Sequence, residues 1–308
     1  MSLSTTTETT LADEPSFVLR MMRMLWADKF ALIAVLFLLI MLVLALIGPQ
    51  WLGDLAIKQN LRGRNLAPFD WQREWVFWLG ADALGRPLLA RIIAAAQHTL
   101  MIAAGAVLLS SVAGTVLGLL AGFAAPRIGQ IIMRLADVIM SFPSLLIAVI
   151  VLYLLGSSIL NLMLVLSITR IPVYIRTTRA EVLEVRERMF VQAARVMGAS
   201  STRILFRHIL PVVLPTLTTL ATLDFAYVML AESALSFLGI GIQPPDITWG
   251  LMISQGRQYL TNAWWLSFWP GLAIILTTLS LNLLSNWLRV ALDPVQRWRL
   301  EMKGHKHG

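Results

Sequence analysis

Three carboxylates stand inside or beside long apolar runs: Asp137, Asp224 and Glu232. An ionisable group in a membrane span is costly to hold, so it marks an ion relay, a solute path or a buried hydrogen-bond partner. Asp224 and Glu232 are eight residues apart, about two helical turns, which sets them roughly on one helix face. Both are candidates for lining a translocation pathway, and equally for hydrogen bonds to a neighbouring helix. Asp137 follows Arg134 by three residues, the spacing of an ion pair along one helix. His98 is a lone histidine at the start of an apolar run and reads as a satisfied interfacial residue. His305 and His307 have the spacing of a weak metal pair, although a solvated tail is the plainer reading. Catalytic motifs are missing. No Gly-x-x-x-x-Gly-Lys-Ser/Thr segment is present to cradle ATP phosphates, and there is no His-Glu-x-x-His. A Gly-x-Ser-x-Gly elbow is also missing. With no cysteine, thiolate metal sites and cysteine nucleophiles are excluded. The chain is expected to be no enzyme, and to carry no cofactor or metal of its own.

The elements that position these groups are membrane spans. Of 308 residues, 57% are hydrophobic and 14% charged, against about 25% charged in a soluble domain. Mean hydropathy is +0.74. An all-α integral membrane protein with six transmembrane helices is expected. The spans are placed at Phe30 to Gly48, Thr99 to Ala124, Val138 to Leu155 with a kink at Pro143, from Ile159 onward, within Leu210 to Ile242, and Phe268 to Arg289. Residues 1–16 are polar and lack the basic start and apolar core of a signal peptide, so they read as a disordered tail. Residues 17–29 read as an interfacial amphipathic helix, with Arg20 and Arg23 among Met and Leu. The transmembrane region is set at 30–290, with an outer loop at 49–97 and a basic inner loop at 177–209, and a second tail follows at 291–308. The net charge of +8 would suggest nucleic acid on a soluble protein, but here it sits in short loops and sets topology. With both termini inside, the inner segments hold 18 of the 25 Lys and Arg residues, which places both termini and the long basic interval in the cytoplasm. No nucleic-acid partner is expected. Gly114, Gly118 and Gly122 form a four-residue ladder in the second span, where another helix can approach closely. Static packing and a moving contact are both open there.

The basic interval holds the most specific pattern. Glu181 to Met197 has apolar residues at three- and four-residue spacing and reads as a helix. Gly198 ends it as a left-handed cap, Ser200 or Ser201 caps the next helix, and Pro211 falls in the first turn of the fifth span. Gln192-Ala193-Ala194-x-x-x-Gly198, then nine residues, then His208-x-Leu210-Pro211 resembles the EAA loop of ABC importer permeases. Gln192 stands for the usual Glu and His208 for the usual Ile, as in the dipeptide/oligopeptide/nickel branch of that family. Leu79 to Arg86 is similar to a segment of the same branch, with Ala81 and Pro87 in place of its usual Thr and Asp. Met133 to Asp137 with Ser141-Phe142-Pro143, Ser236 to Gly241 with Gln243-Pro244-Pro245 and Trp249-Gly250, and Ala291 to Pro294 are similar to other parts of it.

The resemblance implies a type I ABC importer permease fold of the "C" kind, in the bacterial cytoplasmic (inner) membrane. It implies a homologous permease as heterodimer partner, two cytoplasmic ABC ATPase subunits that bind ATP and Mg, an extracytoplasmic solute-binding protein, and surrounding lipid. Coupling to the ATPase would run through Gln192, Ala193, Ala194, Arg195, Gly198, Ala199, His208, Leu210 and Pro211. The implied solutes are di- and oligopeptides, with nickel, glutathione or another small solute as alternatives. An ion-coupled transporter or channel built on Asp224 and Glu232, or a membrane scaffold, is the rival reading of the residues alone.

Overall fold

The computed structural model describes residues 17–292. The tail at 1–16, and the tail at 291–308 beyond Leu292 with His305 and His307, lie outside the described residues. Among the described residues every regular element is helical. Helix α1 (Phe17–Ala27) ends at Asp28, whose extended backbone and side chain start α2 (Lys29–Ile57). The Asp28 carboxylate accepts the Phe30 and Ala31 N–H groups, two of the donors that a helix N-terminus leaves open. Met24 of α1 and Ala31 of α2 pack with Trp287 and Ala291 near the end of the last helix.

Helix α2 runs on through Pro49, and α3 begins early, at Leu88, and reaches Phe123. The expected loop at 49–97 is therefore shorter and spans 58–87. Tertiary burial extends both helices, because Leu52 and Ala56 of α2 pack with Val76, Ala90 and Ala94. At about 1.5 Å per residue α3 is about 54 Å long, well beyond the roughly 30 Å hydrocarbon core.

The third span is broken rather than kinked. Helices α4 (Pro126–Met140) and α5 (Ser144–Leu155) meet at 81°. Pro143 lacks an N–H and its ring clashes with the preceding turn, while Phe142 before it is pushed out of the helical region. Helix α6 (Ile159–Val185) continues into the basic interval, so Val182 and Val185 close α6 instead of opening a helix at Glu181. After a turn at 186–188 come α7 (Met189–Val196), α8 (Ser201–Arg203), a π-helical turn (Ile204–Ile209) and α9 (Leu210–Phe237). Pro211 cannot donate to the carbonyl four residues back, and the ladder widens to five just before it: Leu210 N–H bonds the Leu205 carbonyl. Helices α10 (Trp249–Gly256) and α11 (Trp265–Leu292) complete the described elements. Among the described residues five helical stretches are long and apolar enough to cross a membrane, and the α4–α5 pair, taken as one span, makes a sixth.

Helix α6 packs against α3, α4, α5 and α9. Helix α10 is pinned to the first half of α3. Buried Trp249 donates its indole N–H to the Ile92 carbonyl at 2.9 Å, and its backbone N–H to the Thr99 hydroxyl at 3.1 Å. His98 is partnered there too, with Nδ1 3.0 Å from the Ile247 carbonyl. The outer side of α2 presents Leu36, Leu39, Val43 and Leu46, a surface suited to lipid.

Candidate coupling hairpin and the polar groups of the bundle

The hairpin from α7 to the start of α9 has its own small core. Val191 and Ala194 of α7 pack with Ile204, Leu205, Ile209 and Val213, and with Val182 and Val185 at the end of α6. The two alanines thus have different jobs. Ala194 is buried in the hairpin, whereas Ala193 faces outward with Gln192 and Arg195. Met189, Val196 and Met197 are more than four-fifths exposed. Helix α7 and its C-terminal cap residue thus leave three large apolar side chains in the open, a patch suited to a protein contact. Gln192 folds back, and its amide donates to the Glu187 carbonyl at 3.1 Å.

Gly198 has φ +82. The Ala199 N–H bonds the Ala194 carbonyl and the Gly198 N–H bonds the Arg195 carbonyl, both at 3.0 Å. That pair of bonds is a Schellman cap, which needs a left-handed residue at the turn. A Cβ at Gly198 would meet nothing within 4 Å, so the glycine serves the backbone angle and not a close approach within this chain. Ser200 caps the next helix, accepting the Arg203 N–H at 3.4 Å. His208 and Leu210 are half-buried and Pro211 is exposed, while Ile209 between them is fully buried. Ile209, Val191 and Ile204 hold the hairpin together, and the motif residues do not include them. Their signal is the helical spacing of Leu205, Ile209 and Val213.

The hairpin is tied to the bundle through α6. Gly114, Gly118 and Gly122 face Tyr174, Thr178 and Val182, one four-residue ladder against another. An added Cβ would lie 2.4, 2.5 and 2.7 Å from atoms of those side chains. The two helices run parallel, since both ladders ascend in the same order. At the base, the Arg186 guanidinium donates to the Gly122 carbonyl at 3.0 Å.

The carboxylates have separate surroundings. Eight residues amount to a rotation of about 80° beyond two full turns, and the neighbours differ accordingly. Asp224 pairs with Arg170 of α6 and is buried. Glu232 is fully buried and accepts the Ser236 hydroxyl at 2.8 Å and the Ser233 hydroxyl at 3.3 Å. Gly250 of α10 covers these serines. The single face expected for the two acids is therefore not found. Asp137 pairs with Arg176 of α6 at 2.5 Å instead of with Arg134. Ala136 is buried as α4 packs on α6, and this brings Asp137 to the neighbouring helix.

A fourth acid, Asp82, organises the 58–87 loop. Its Oδ1 accepts the Leu84 and Arg86 N–H groups at 2.9 Å, and its Oδ2 takes Arg86 at 2.6 Å and Arg91 at 2.5 Å. Arg91 also donates to Gln255 of α10 at 3.1 Å. Burial raises the Asp82 carboxyl, but Arg91 and Arg86 outweigh it and hold the group below the ordinary range. The Arg86 side of this cluster opens into a cleft of about 430 Å³ that Gln255 and Arg257 also line. The segment Leu79 to Arg86 is thus a folded polar knot, with Ala81 bridged to Pro87.

The model of the family described as "Binding-protein-dependent transport system inner membrane component" matches residues 114–298. The chain is similar to a di/tripeptide transport system permease protein of Pseudomonas aeruginosa, with 40% identity over 269 residues, 87% of this chain and 88% of that one. It is 35% identical over 258 residues to a probable D,D-dipeptide transport system permease protein of Escherichia coli, covering 83% of this chain and 85% of that one. It is also 35% identical over 269 residues to the nickel transport system permease protein of Escherichia coli, covering 87% and 94%. With its six apolar span candidates and its hairpin between α6 and α9, the chain belongs to the binding-protein-dependent transport system inner membrane components, the multi-pass permease subunits of bacterial ABC transporters.

Proposed function

We propose that this chain is one of two permease subunits of an ATP-driven importer for di- and oligopeptides. The termini and the α7 hairpin face the cytoplasm, in keeping with the distribution of Lys and Arg. A homologous permease forms the other half of the pathway, two ATPase subunits bind ATP and Mg, and an extracytoplasmic protein delivers the solute. The observation that carries this reading is the hairpin: a small helix with an apolar outer surface on a firmly packed base.

The hairpin supplies contact and leverage. Ala193, Met189, Val196 and Met197 enter a groove on an ATPase subunit. Val191, Ala194, Ile204 and Ile209 make α7 move with α6 and α9. The glycine ladder makes α3 move with α6. Closure of the ATPase dimer on ATP therefore rocks α3, α6 and α9 as one body, a rigid-body change between two discrete packings. ATP can drive it only because the hairpin contact differs between the two states.

The test is uptake by the purified complex in proteoliposomes. Peptide uptake is expected to need ATP, the ATPase subunits and the binding protein together. Uptake by this chain alone would overturn the reading in favour of an ion-coupled carrier or channel. The similarity to a nickel permease supports nickel as a second solute class. Nickel uptake with no peptide uptake would establish it.

A further inference from the structure

The ion pair Arg170–Asp224 does not stand alone. The Arg170 guanidinium lies over the Tyr227 ring, 4.4 Å from its centroid. The Tyr227 hydroxyl is 3.0 Å from the Ser144 hydroxyl at the first residue of α5. Polar side chains of three helices, α5, α6 and α9, thus meet at the break in the third span. Its depth follows from helix rise. At about 1.5 Å per residue, Arg170 lies about 16 Å along α6 from Ile159, and Tyr227 about 15 Å along α9 from Phe237. Those two ends are level, because the Ser157 hydroxyl in the α5–α6 turn donates to the Ile240 carbonyl just past α9. The cluster therefore sits near the midplane of a hydrocarbon core about 30 Å thick.

This midplane cluster is open on one side. Tyr227 is 39% exposed, and Ser141, Phe142 and Pro143 are exposed beside it. Irregular backbone and charged groups at that depth do not face lipid; they line a water-filled cavity or lie against protein. Tyr174 stands against Asp224 on its buried side as a hydrogen-bond partner, and the buried Nε of Arg170 has no protein partner among the described residues. A buried guanidinium N–H without a protein partner, beside an ion pair, is a place for water or a ligand group.

We propose that Arg170, Tyr227 and Ser144 form a contact for a carboxylate of the passing solute, halfway along the pathway. The inference rests on the permease reading above. The three side chains can all donate hydrogen bonds, through a guanidinium and two hydroxyls. Asp224 lies behind them, with its side chain 3% exposed against 18% for Arg170. A guanidinium edge fits a carboxylate. Asp224 is the positioning residue. It aims Arg170 and cancels most of its charge, so the solute is held weakly enough to leave, as transport requires. The contact favours solutes bearing a carboxylate over a bare divalent cation.

The chain has no cysteine, so Ser144→Cys creates a single thiol in this subunit. The probes are two membrane-impermeant reagents of opposite charge, sulfonatoethyl and trimethylammonioethyl methanethiosulfonate, applied to the whole complex in proteoliposomes. Each rate is divided by the reagent's rate with a free thiol. Labelling is expected, with the anionic reagent favoured about tenfold, the scale of one charge-assisted hydrogen bond. The preference should vanish in Ser144→Cys combined with Arg170→Met and Asp224→Leu. Replacing both ions together avoids stranding one buried charge, so that variant is expected to assemble. Leu39→Cys on the outer side of α2 should stay unlabelled. No labelling of Ser144→Cys, a cationic preference, or an anionic preference that survives loss of the pair would each overturn the proposal. Dialanine uptake by the wild-type complex tests the permease reading separately. Uptake without labelling overturns the carboxylate contact alone. Labelling with anionic preference but no uptake upholds the contact and counts against peptide import.

Discussion

Gly198 gives the sharpest test of the hairpin, because two explanations of it rank the same substitutions in opposite order. Its φ of +82 lies in the left-handed region, and an added Cβ there meets nothing within 4 Å. A side chain at 198 therefore costs backbone energy and no packing energy within this chain. For an L-residue such as alanine the cost is about 1–2 kcal/mol. That shifts the balance between the formed cap and an opened one by a factor of about 5–30. Asparagine tolerates this conformation better than alanine although it is larger. The assay is stimulation of ATPase activity by the loaded binding protein in the reconstituted complex. Gly198→Ala should lower stimulation about fivefold or more. Gly198→Asn should fall between alanine and wild type, and Gly198→Val should be worst. Membrane insertion should be equal in all, because the spans are untouched. If alanine retains full stimulation, the cap does not control coupling. If asparagine is worse than alanine, side-chain size against the ATPase groove decides, and the backbone account is wrong.

Three further outcomes follow from the packing. Gly122→Ala and Gly118→Ala should each destabilise the subunit by about 1–3 kcal/mol through overpacking, read as a lower melting temperature in detergent. Val182→Gly should restore part of the loss for Gly122→Ala, since Val182 side-chain atoms are the near obstacle at 2.7 Å; Thr178→Gly should do little for Gly118→Ala, because the Ile175 carbonyl remains at 2.9 Å. Asp82→Asn, which strands buried Arg91, should cost about 3–5 kcal/mol. Because the folded-state pKa of Asp82 is depressed, its contribution should be complete above about 3.9, the unfolded value, and fade as pH falls through the lower folded value. The melting temperature of Asp82→Asn should lack that acid limb. Asp137→Asn should leave melting and transport within error of wild type, because the pair with Arg176 is about half exposed on both sides and such pairs contribute little.

The hairpin was the most legible part of the chain, because its signals are local. A glycine at the left-handed cap, a serine N-cap and a proline at the start of α9 all act on their own few residues. The division between α6 and α7 was not legible. Val182, Val185, Met189, Ala193 and Val196 keep helical spacing across it, and the turn at 186–188 exists because Val182 and Val185 pack with Val191 and Ala194. The break in the third span is half visible: Pro143 marks its place, but a proline alone does not separate a kink from an 81° corner. The ion-pair partners of Asp137 and Asp224 were hidden altogether, whereas those of Glu232 are the nearby Ser233 and Ser236. Arg170 is 54 residues from Asp224, and Asp137 meets Arg176 across two helices, so spacing along one helix misdirected the reading of both. Asp82 was recognised only as part of a resembling segment. Its role comes from Arg91 and Gln255, which the fold brings from elsewhere.

These contacts also decide which parts can move. Along α3 and α6 the approach is backbone-close at three successive levels, from Gly114 at Tyr174 down to Gly122 at Val182. Packing that tight does not slide by small steps; it is either seated or lost. One turn above Tyr174, Arg170 reaches across to Asp224 and fastens α9 to the same body. At the far end Val182 and Val185 carry the hairpin core. A push on α7 therefore reaches mid-depth with no soft joint on the way. The weaker junctions lie beside this body. Helix α4 is held to α6 partly by the exposed Asp137–Arg176 pair, and the start of α5 meets α9 through one hydroxyl contact, Ser144 with Tyr227. If α3, α6 and α9 rock together, the corner at 141–143 is where the relative motion must be taken up. That corner stands beside Tyr227 and Arg170, so in the proposed mechanism a stroke that moves the hairpin would also change the width of the polar cluster at the midplane.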